Sequence, residues 1–400
     1  MAYSLCRFQE MKRATLRTPR HFLQRPAVVL EVRVVRGSGG GPDKTILNSP
    51  RFLHAAGYET LCAYMHPPGD PGFEQLRLKA RRWNAPLLSI PDHGPLDLGV
   101  IPRLLNVCRR HKVAIWHGHD YKSNLLGLLL TRFWPMKLLT TVHGWVHHTA
   151  RTPLYYAIDR FCLPRYQRVL AVSEDLRQRC LECRVPPGRC ILLENAIDTE
   201  EFRRRRDSNS GRNEVGLSRF SFLIGAVGRL SPEKGFDVLL RALADLRQRD
   251  VNAGLLLVGE GEQRRSLEDL AGQLGCRDAL HLAGFQEDVR PFFEAMDVFA
   301  LSSLREGLPN VVLEAMALEV PVVATRIAGV PGVIDDGRNG LLVNPGSVEE
   351  LTAALARLAD DEGLRQRLSS EGRRTIEERY SFARRMQRVA AIYDDLLRGP

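Results

Sequence analysis

Two carboxylates, Glu306 and Glu314, bracket the stretch Glu306-Gly307-Leu308-Pro309-Asn310-Val311-Val312-Leu313-Glu314. The apolar run Val298–Leu301 precedes it, and the pattern predicts a helix that starts at Pro309 or Asn310 with Glu314 in its early turns. The first amides of a helix have no intrahelical acceptor and carry partial positive charge, so those near Asn310–Val312 suit a phosphate. Acids on both sides would repel that anion. Their presence makes sense if they hold hydroxyl groups, Glu306 those of a sugar and Glu314 those of a ribose.

Cations stand on a second turn, Gly228-Arg229-Leu230-Ser231-Pro232-Glu233-Lys234-Gly235, after the apolar run Phe222–Val227. A guanidinium at Arg229 can fork onto phosphate oxygens, and Lys234 adds a compact charge beside it. Ser231 and Pro232 suit the start of the following helix. Gly39-Gly40-Gly41-Pro42-Asp43-Lys44 follows the first strand-like run and opens a helical segment. Glycines there admit an anion close to the backbone amides, although Pro42 breaks the G-x-G-x-x-G dinucleotide pattern. Gly259-Glu260-Gly261 is a further tight turn after a strand.

Histidines end two more strands: His117-Gly118-His119-Asp120 and Thr140-Thr141-Val142-His143-Gly144. His143, followed by His147 and His148, is read as facing a cleft, whereas His117 and His119 read as structural. No histidine or carboxylate at helical i, i+4 spacing completes a ligand set, so no metal is expected. Cys180, Cys183 and Cys190 lack a fourth ligand at zinc spacing and read as reduced structural thiols.

These residues need elements to hold them. Strand-like runs fall at Val28–Val35, Thr60–Met65, Leu87–Ile90, Val113–His117, Leu138–His143, Val169–Ser173 and Ile191–Leu193. The arginine run Arg203–Arg206 and the polar Asp207–Glu214 then read as an exposed linker. Alternation resumes at Phe222–Val227, Leu255–Val258, Ala279–Leu282, Val298–Leu301, Val322–Ala324 and Leu341–Val343. A stripe of Phe236, Leu239, Leu240, Leu243 and Leu246 predicts a helix over Gly235–Arg249, and Phe382, Met386, Val389, Tyr393 and Leu396 predict one over Ser381–Leu397. Strands alternating with helices build parallel sheets. The chain therefore reads as two consecutive α/β units. Two such doubly wound domains facing each other create a cleft at the carboxyl ends of their strands, where ligands collect.

Composition narrows the class. The 400 residues are 44% hydrophobic and 26% charged, which is ordinary for a globular protein. Lys plus Arg exceeds Asp plus Glu by 57 − 47 = 10, which favours an anionic partner. No apolar run approaches the roughly 20 residues of a membrane span. Residues 1–26 are basic and broken by Pro19 and Pro26 with no continuous apolar stretch, so a secretory leader is not expected. No nucleic-acid signature is present.

Taken together and in order, the motifs resemble glycosyltransferase family 4, the group 1 retaining glycosyltransferases with the GT-B fold. The motifs are Gly-Gly-Pro-Asp-Lys after the first strand, His143-Gly144, Ala171-Val172-Ser173-Glu174, Asn195 to Phe202, Arg229 with Lys234, Gly259-Glu260-Gly261, and Glu306 with Glu314 as E-x7-E before Ala315-Met316-Ala317. The resemblance runs from about Val28 onwards. It departs at Asn195-Ala196-Ile197-Asp198, where the family often has glycine in place of Ala196, and this puts the local loop shape in question.

The resemblance implies a basic extension over 1–26, an acceptor-side Rossmann-like domain over 27–207, a nucleotide-sugar domain over 208–380, and a helix over 381–400 crossing back to the first domain. It implies a metal-independent, hexosyltransferase-type enzyme. Sugar would pass with retention from a nucleoside-diphosphate donor to a hydroxyl of a glycan, polysaccharide or lipid-linked acceptor in cell-envelope synthesis. Arg229, Lys234, Gly40, Gly41, Asn310 and Val311 would hold the diphosphate, Glu314 the ribose and Glu306 the transferred sugar, with His143 near the reacting centre. No cofactor is expected. A cytoplasmic location is expected, with peripheral contact to an anionic inner membrane face. A sugar-nucleotide epimerase of the same fold and an inactive binding homologue are the alternatives.

Overall fold

A computed structural model describes residues 26–144, 152–306, 308–327 and 329–399. The basic extension up to residue 25, His147, His148 and Gly307 lie outside the described residues. All thirteen expected strands form. They are β1 (Ala27–Val34), β2 (Tyr58–His66), β3 (Leu87–Pro91), β4 (Val113–Gly118), β5 (Lys137–Val142), β6 (Arg168–Ala171), β7 (Cys190–Leu192), β8 (Phe222–Val227), β9 (Ala253–Val258), β10 (Leu280–Gly284), β11 (Val298–Leu301), β12 (Val322–Thr325) and β13 (Leu341–Val343). Every pairing is parallel.

The strands form two sheets, ordered β3-β2-β1-β4-β5-β6-β7 and β10-β9-β8-β11-β12-β13. In each, the chain starts near the middle, winds to one edge and then returns to build the other side. The order therefore reverses between β1 and β4, and again between β8 and β11. These are the two switch points where an open parallel sheet leaves a crevice at its carboxyl edge. Helices cover both faces, so the strands are apolar almost throughout; β9 is buried at every position.

The last helix, Phe382–Arg398, does not stay with the second sheet. Its Phe382, Met386, Val389, Tyr393 and Leu396 pack with Val29, Leu53, Tyr58, Ile115, Leu139, Leu170 and Leu193 of the first domain. Burying each such side chain stabilises by about 1.5–3 kcal/mol. Ser381 precedes the helix without a side-chain capping bond. Two passages connect the domains, and they run side by side. The amide of Ile197 donates to the Tyr380 carbonyl at 2.9 Å, and the amide of Phe382 donates to the Ile197 carbonyl at 2.9 Å. Ala196 does not adopt a positive φ. The turn instead relies on Asp198, which accepts from the amides of Glu200 and Glu201 at 3.1 and 3.2 Å.

The stretch expected as an exposed linker is different. Ser208–Glu214 is a helix capped by Asp207. Arg212 is buried and paired with Asp297, whose carboxylate also accepts from the Leu223 amide at 2.7 Å. Arg204 reaches the carbonyls of Glu319 and Glu294 at 3.0 and 3.1 Å. Arg203, Arg205 and Arg206 remain exposed. Two arginines of this region are thus anchors for the second domain, Arg204 by donating to carbonyls at element ends and Arg212 by pairing with a carboxylate.

Candidate active site

Helix Asn310–Ala317 begins after Pro309, placing its free amides at the carboxyl edge of β11. Glu314 is buried, with 2% relative exposure. It is not alone there: Lys44 Nζ from the first domain lies 2.8 Å from Glu314 Oε1. The Lys44 ammonium is held above its usual range chiefly by that carboxylate. Gly41 faces the same helix, and a β-carbon on it would lie 3.5 Å from Asn310 Nδ2. The amino ends of helices Gly41–Ala55 and Asn310–Ala317 thus approach each other across the interdomain cleft. The Asn310 Oδ1 atom is buried with no hydrogen-bond partner. A buried acceptor left open is costly unless a ligand or water supplies a donor.

Glu306 lies in the loop before this helix, paired with Lys234 Nζ and accepting from Ser303 Oγ at 3.2 Å. The Lys234 turn is fixed from beneath. Ser302 Oγ donates to the Lys234 carbonyl at 2.9 Å, and the Leu304 amide donates to the Glu233 carbonyl at 2.8 Å. Gly235 has φ +60°, and a β-carbon there would sit 2.3 Å from the Ser302 carbonyl oxygen. Only glycine lets the two loops touch. A short 3-10 turn, Pro232–Lys234, stands between Ser231 and the helix, which starts at Phe236 rather than at the expected Ser231 cap. Arg229 is exposed on the same turn. Gly259-Glu260-Gly261 runs alongside, with the Leu230 amide donating to the Glu260 carbonyl at 3.0 Å.

Not every expected group is available. The Gly40 amide is taken by Asp43 Oδ2 at 2.6 Å, and Arg33 Nε lies 2.9 Å from Asp43 Oδ1. Gly40 is therefore not a free phosphate donor, whereas Gly41 stands at the helix start. Val311 is partly buried in the first turn beside Asn310.

His143 belongs to a cluster within the first domain. Its Nε2 lies 3.0 Å from His119 Nδ1, and His119 Nε2 lies 3.0 Å from Glu31 Oε2. His117 stacks on His119 with ring centroids 4.4 Å apart, and its two nitrogens meet Tyr393 Oη and Thr141 Oγ1, each at 2.8 Å. Burial pushes all three imidazoles well below their ordinary range, so they are neutral at pH 7. Glu31, His117 and His119 lie close enough in space to suggest metal ligands. Every ring nitrogen of His117 and His119 already has a protein partner, however, so the donor set is spent on itself. Sequence reasoning missed Glu31 and Lys44. The signal for Glu31 was a carboxylate inside an apolar strand at the centre of a sheet.

A cavity of about 400 Å³ lies elsewhere, lined by Pro50, Arg51, His54, Trp83 and their neighbours. It sits at the carboxyl end of helix Gly41–Ala55, about 20 Å from the cleft at its amino end. The seven described cysteines other than Cys6 are free thiols, six of them buried. Among the described residues no helix is long and apolar enough to cross a membrane.

Two family models match consecutive parts of the chain: Glycosyltransferase Family 4 over residues 39–201 and Glycosyl transferases group 1 over 210–375. The lipopolysaccharide core biosynthesis glycosyltransferase LpsE of Rhizobium meliloti is 40% identical over 159 residues, which is 40% of this chain and 46% of that protein. A galactosyltransferase of Escherichia coli acting on GlcNAc-diphosphoundecaprenol is 24% identical over 311 residues, 75% of this chain and 80% of that protein. The crystal structure of Anabaena HepE with UDP superposes with a TM-score of 0.77 at 19% identity, over 92% of this chain and 100% of that one. That last likeness speaks to the fold.

Proposed function

Given that the chain belongs to the family 4, group 1 glycosyltransferases of GT-B fold, we propose that it moves a sugar from a nucleoside-diphosphate donor to a hydroxyl of a glycan or lipid-linked acceptor, retaining the anomeric configuration and using no metal. The observation that carries this reading is the pairing of Lys234 with Glu306 and of Lys44 with Glu314 around the open end of helix Asn310–Ala317. Each acid is satisfied by a cation within the protein. A bound donor separates each pair: ribose hydroxyls donate to Glu314, sugar hydroxyls donate to Glu306, and the released ammonium groups turn to the phosphates.

As the glycosidic C–O bond breaks, negative charge grows on the leaving diphosphate. The amides of Asn310 and Val311 stabilise that charge from fixed positions, a preorganised electrostatic contribution, and Arg229 and the Lys234 ammonium released from Glu306 add positive charge. The acceptor hydroxyl attacks from the face the phosphate leaves, and its proton passes to the departing phosphate oxygen. His143 lines the acceptor side. LpsE and the Escherichia coli galactosyltransferase support a lipopolysaccharide or lipid-linked acceptor, and the UDP-galactose donor of the latter supports a uridine nucleotide. Contact with an anionic membrane surface from the cytoplasmic side belongs to the same proposal. Its support is the net charge of +10 and the exposed Leu125, Leu129, Phe133 and Phe161 of the first domain. Cosedimentation should increase with anionic over neutral vesicles; equal binding removes that part.

The decisive experiment is a thermal-shift screen against uridine, guanosine, adenosine and thymidine diphosphates and their sugars. Acceptor-dependent release of the nucleoside diphosphate, with the selected donor, then follows. A donor that is converted without any acceptor into another sugar nucleotide overturns transfer.

A further inference from the structure

We propose that Glu31 and His119 are positioning residues that fix His143 as its Nε2–H tautomer, leaving Nδ1 of His143 as the hydrogen-bond acceptor presented to the transfer reaction. The proposal rests on the reading of His143 as a residue of the acceptor side.

Proton counting along the chain of groups fixes the tautomers. Three groups stand in line, Glu31 Oε2, the two nitrogens of His119, and Nε2 of His143, with both gaps 3.0 Å. A neutral imidazole has one N–H and one bare nitrogen, and burial keeps both rings neutral. An ionised Glu31 only accepts. His119 must then carry its proton on Nε2, so its Nδ1 is bare and can only accept. The bond to His143 then requires the proton on His143 Nε2. Its Nδ1 is left bare, and among the described residues it has no hydrogen-bond partner.

Everything turns on the charge of Glu31. Burial pushes its carboxyl upward, against the Ser49 hydroxyl and the Arg385 guanidinium, which favour the charged form. Arg385 is the buried cation that an ionised Glu31 offsets. Its guanidinium is buried on the crossover helix and lines the same small cavity as Glu31. Burial lowers it only to about 10, with Glu31 the foremost group opposing that fall, so it stays charged. Its Nε donates to a neutral carbonyl, that of Glu194, at 3.0 Å. A neutral Glu31 would leave that charge stranded in the core. Ser49 Oγ also donates to Glu31 Oε1 at 2.8 Å. The ring of His119 is held in plane by His117, which Thr141 and Tyr393 pin from either end. Neither Glu31 nor His119 has to touch substrate; they act through His143.

Two measurements test this. Long-range proton–nitrogen NMR of the imidazole rings, with His143 assigned by its loss in His143→Asn, should show the wild-type His143 ring protonated on Nε2. A ring protonated on Nδ1, or an even mixture, overturns the relay, and this readout needs neither activity nor a change at Glu31. The second measurement compares two charge-balanced double variants, so that no buried ion is stranded. Glu31→Gln with Arg385→Met keeps an acceptor oxygen for His119; Glu31→Met with Arg385→Met does not. The Met pair should show kcat at least tenfold below the Gln pair, donor KM within threefold, and a mixed His143 tautomer. Equal kcat in the two pairs overturns the positioning role. If transfer is still measured then, the glycosyltransferase reading itself survives that failure.

Discussion

Replacing Lys234 by alanine probes the leaving-group arrangement most directly. A hydrogen bond to a charged group contributes about 1.5–3 kcal/mol. At about 1.4 kcal/mol per tenfold in rate, kcat/KM should fall by about 10- to 150-fold. The structure argues for the lower half of that range. Lys234 is paired with Glu306, so part of its bond to phosphate only replaces one it gives up. Both side chains are 18% exposed, and solvent screens the pair further. About 10- to 50-fold is the expected loss. The division between constants matters as much as the total. Charge on the diphosphate grows during bond breaking, so kcat should fall more than KM rises. The assay is release of nucleoside diphosphate with the donor selected by thermal shift, alongside circular dichroism to confirm the fold. Retention of kcat/KM within twofold in a folded variant refutes the phosphate role. A rise in KM alone refutes stabilisation of the leaving group.

Other outcomes follow from the same geometry. Glu314→Gln should weaken nucleoside-diphosphate binding by about tenfold by calorimetry, since a neutral acceptor bonds ribose hydroxyls less strongly than a charged one; unchanged affinity would detach Glu314 from the ribose. Gly41→Ala should leave turnover within threefold, because its β-carbon meets Asn310 at an ordinary 3.5 Å, whereas Gly41→Val should lose at least tenfold by filling the gap between the two helix ends. Turnover should persist in excess chelator, and a loss restored only by a divalent ion would contradict the metal-free scheme. Arg212→Leu strands the buried Asp297 and should lower stability by about 3–5 kcal/mol in chemical denaturation, with little change in donor KM.

The strands were legible because parallel strands covered on both faces are nearly continuous apolar runs, and each was followed by glycine or a turn. The candidate site was legible where chemistry demands a residue type next to a strand end: Glu306, Glu314 and Lys234. Three things were not. Arg204 and Arg212 looked like solvated charge because their partners are carbonyls and an acid brought near only by folding. Gly40 looked like an open amide until Asp43, three residues on, turned back onto it. Lys44 lies in the first glycine motif, yet its partner Glu314 is far along the chain and in the other domain. Glu31 and Arg33 did interrupt β1 at alternate positions, which places both on one face of a central strand. That signal went unread, although charge placed in a buried strand is an energetic cost that marks the network behind His143.

The return of Phe382–Arg398 to the first domain has a consequence for biosynthesis. The second domain is in effect an insertion, finished on its own before residues 382–398 leave the ribosome. The first domain, although translated earlier, keeps the apolar face around Val29, Ile115, Leu139 and Leu170 uncovered until those residues arrive. A nascent chain halted just short of them would carry one completed half and one adhesive half. Chaperone dependence should therefore concentrate in the half that is made first.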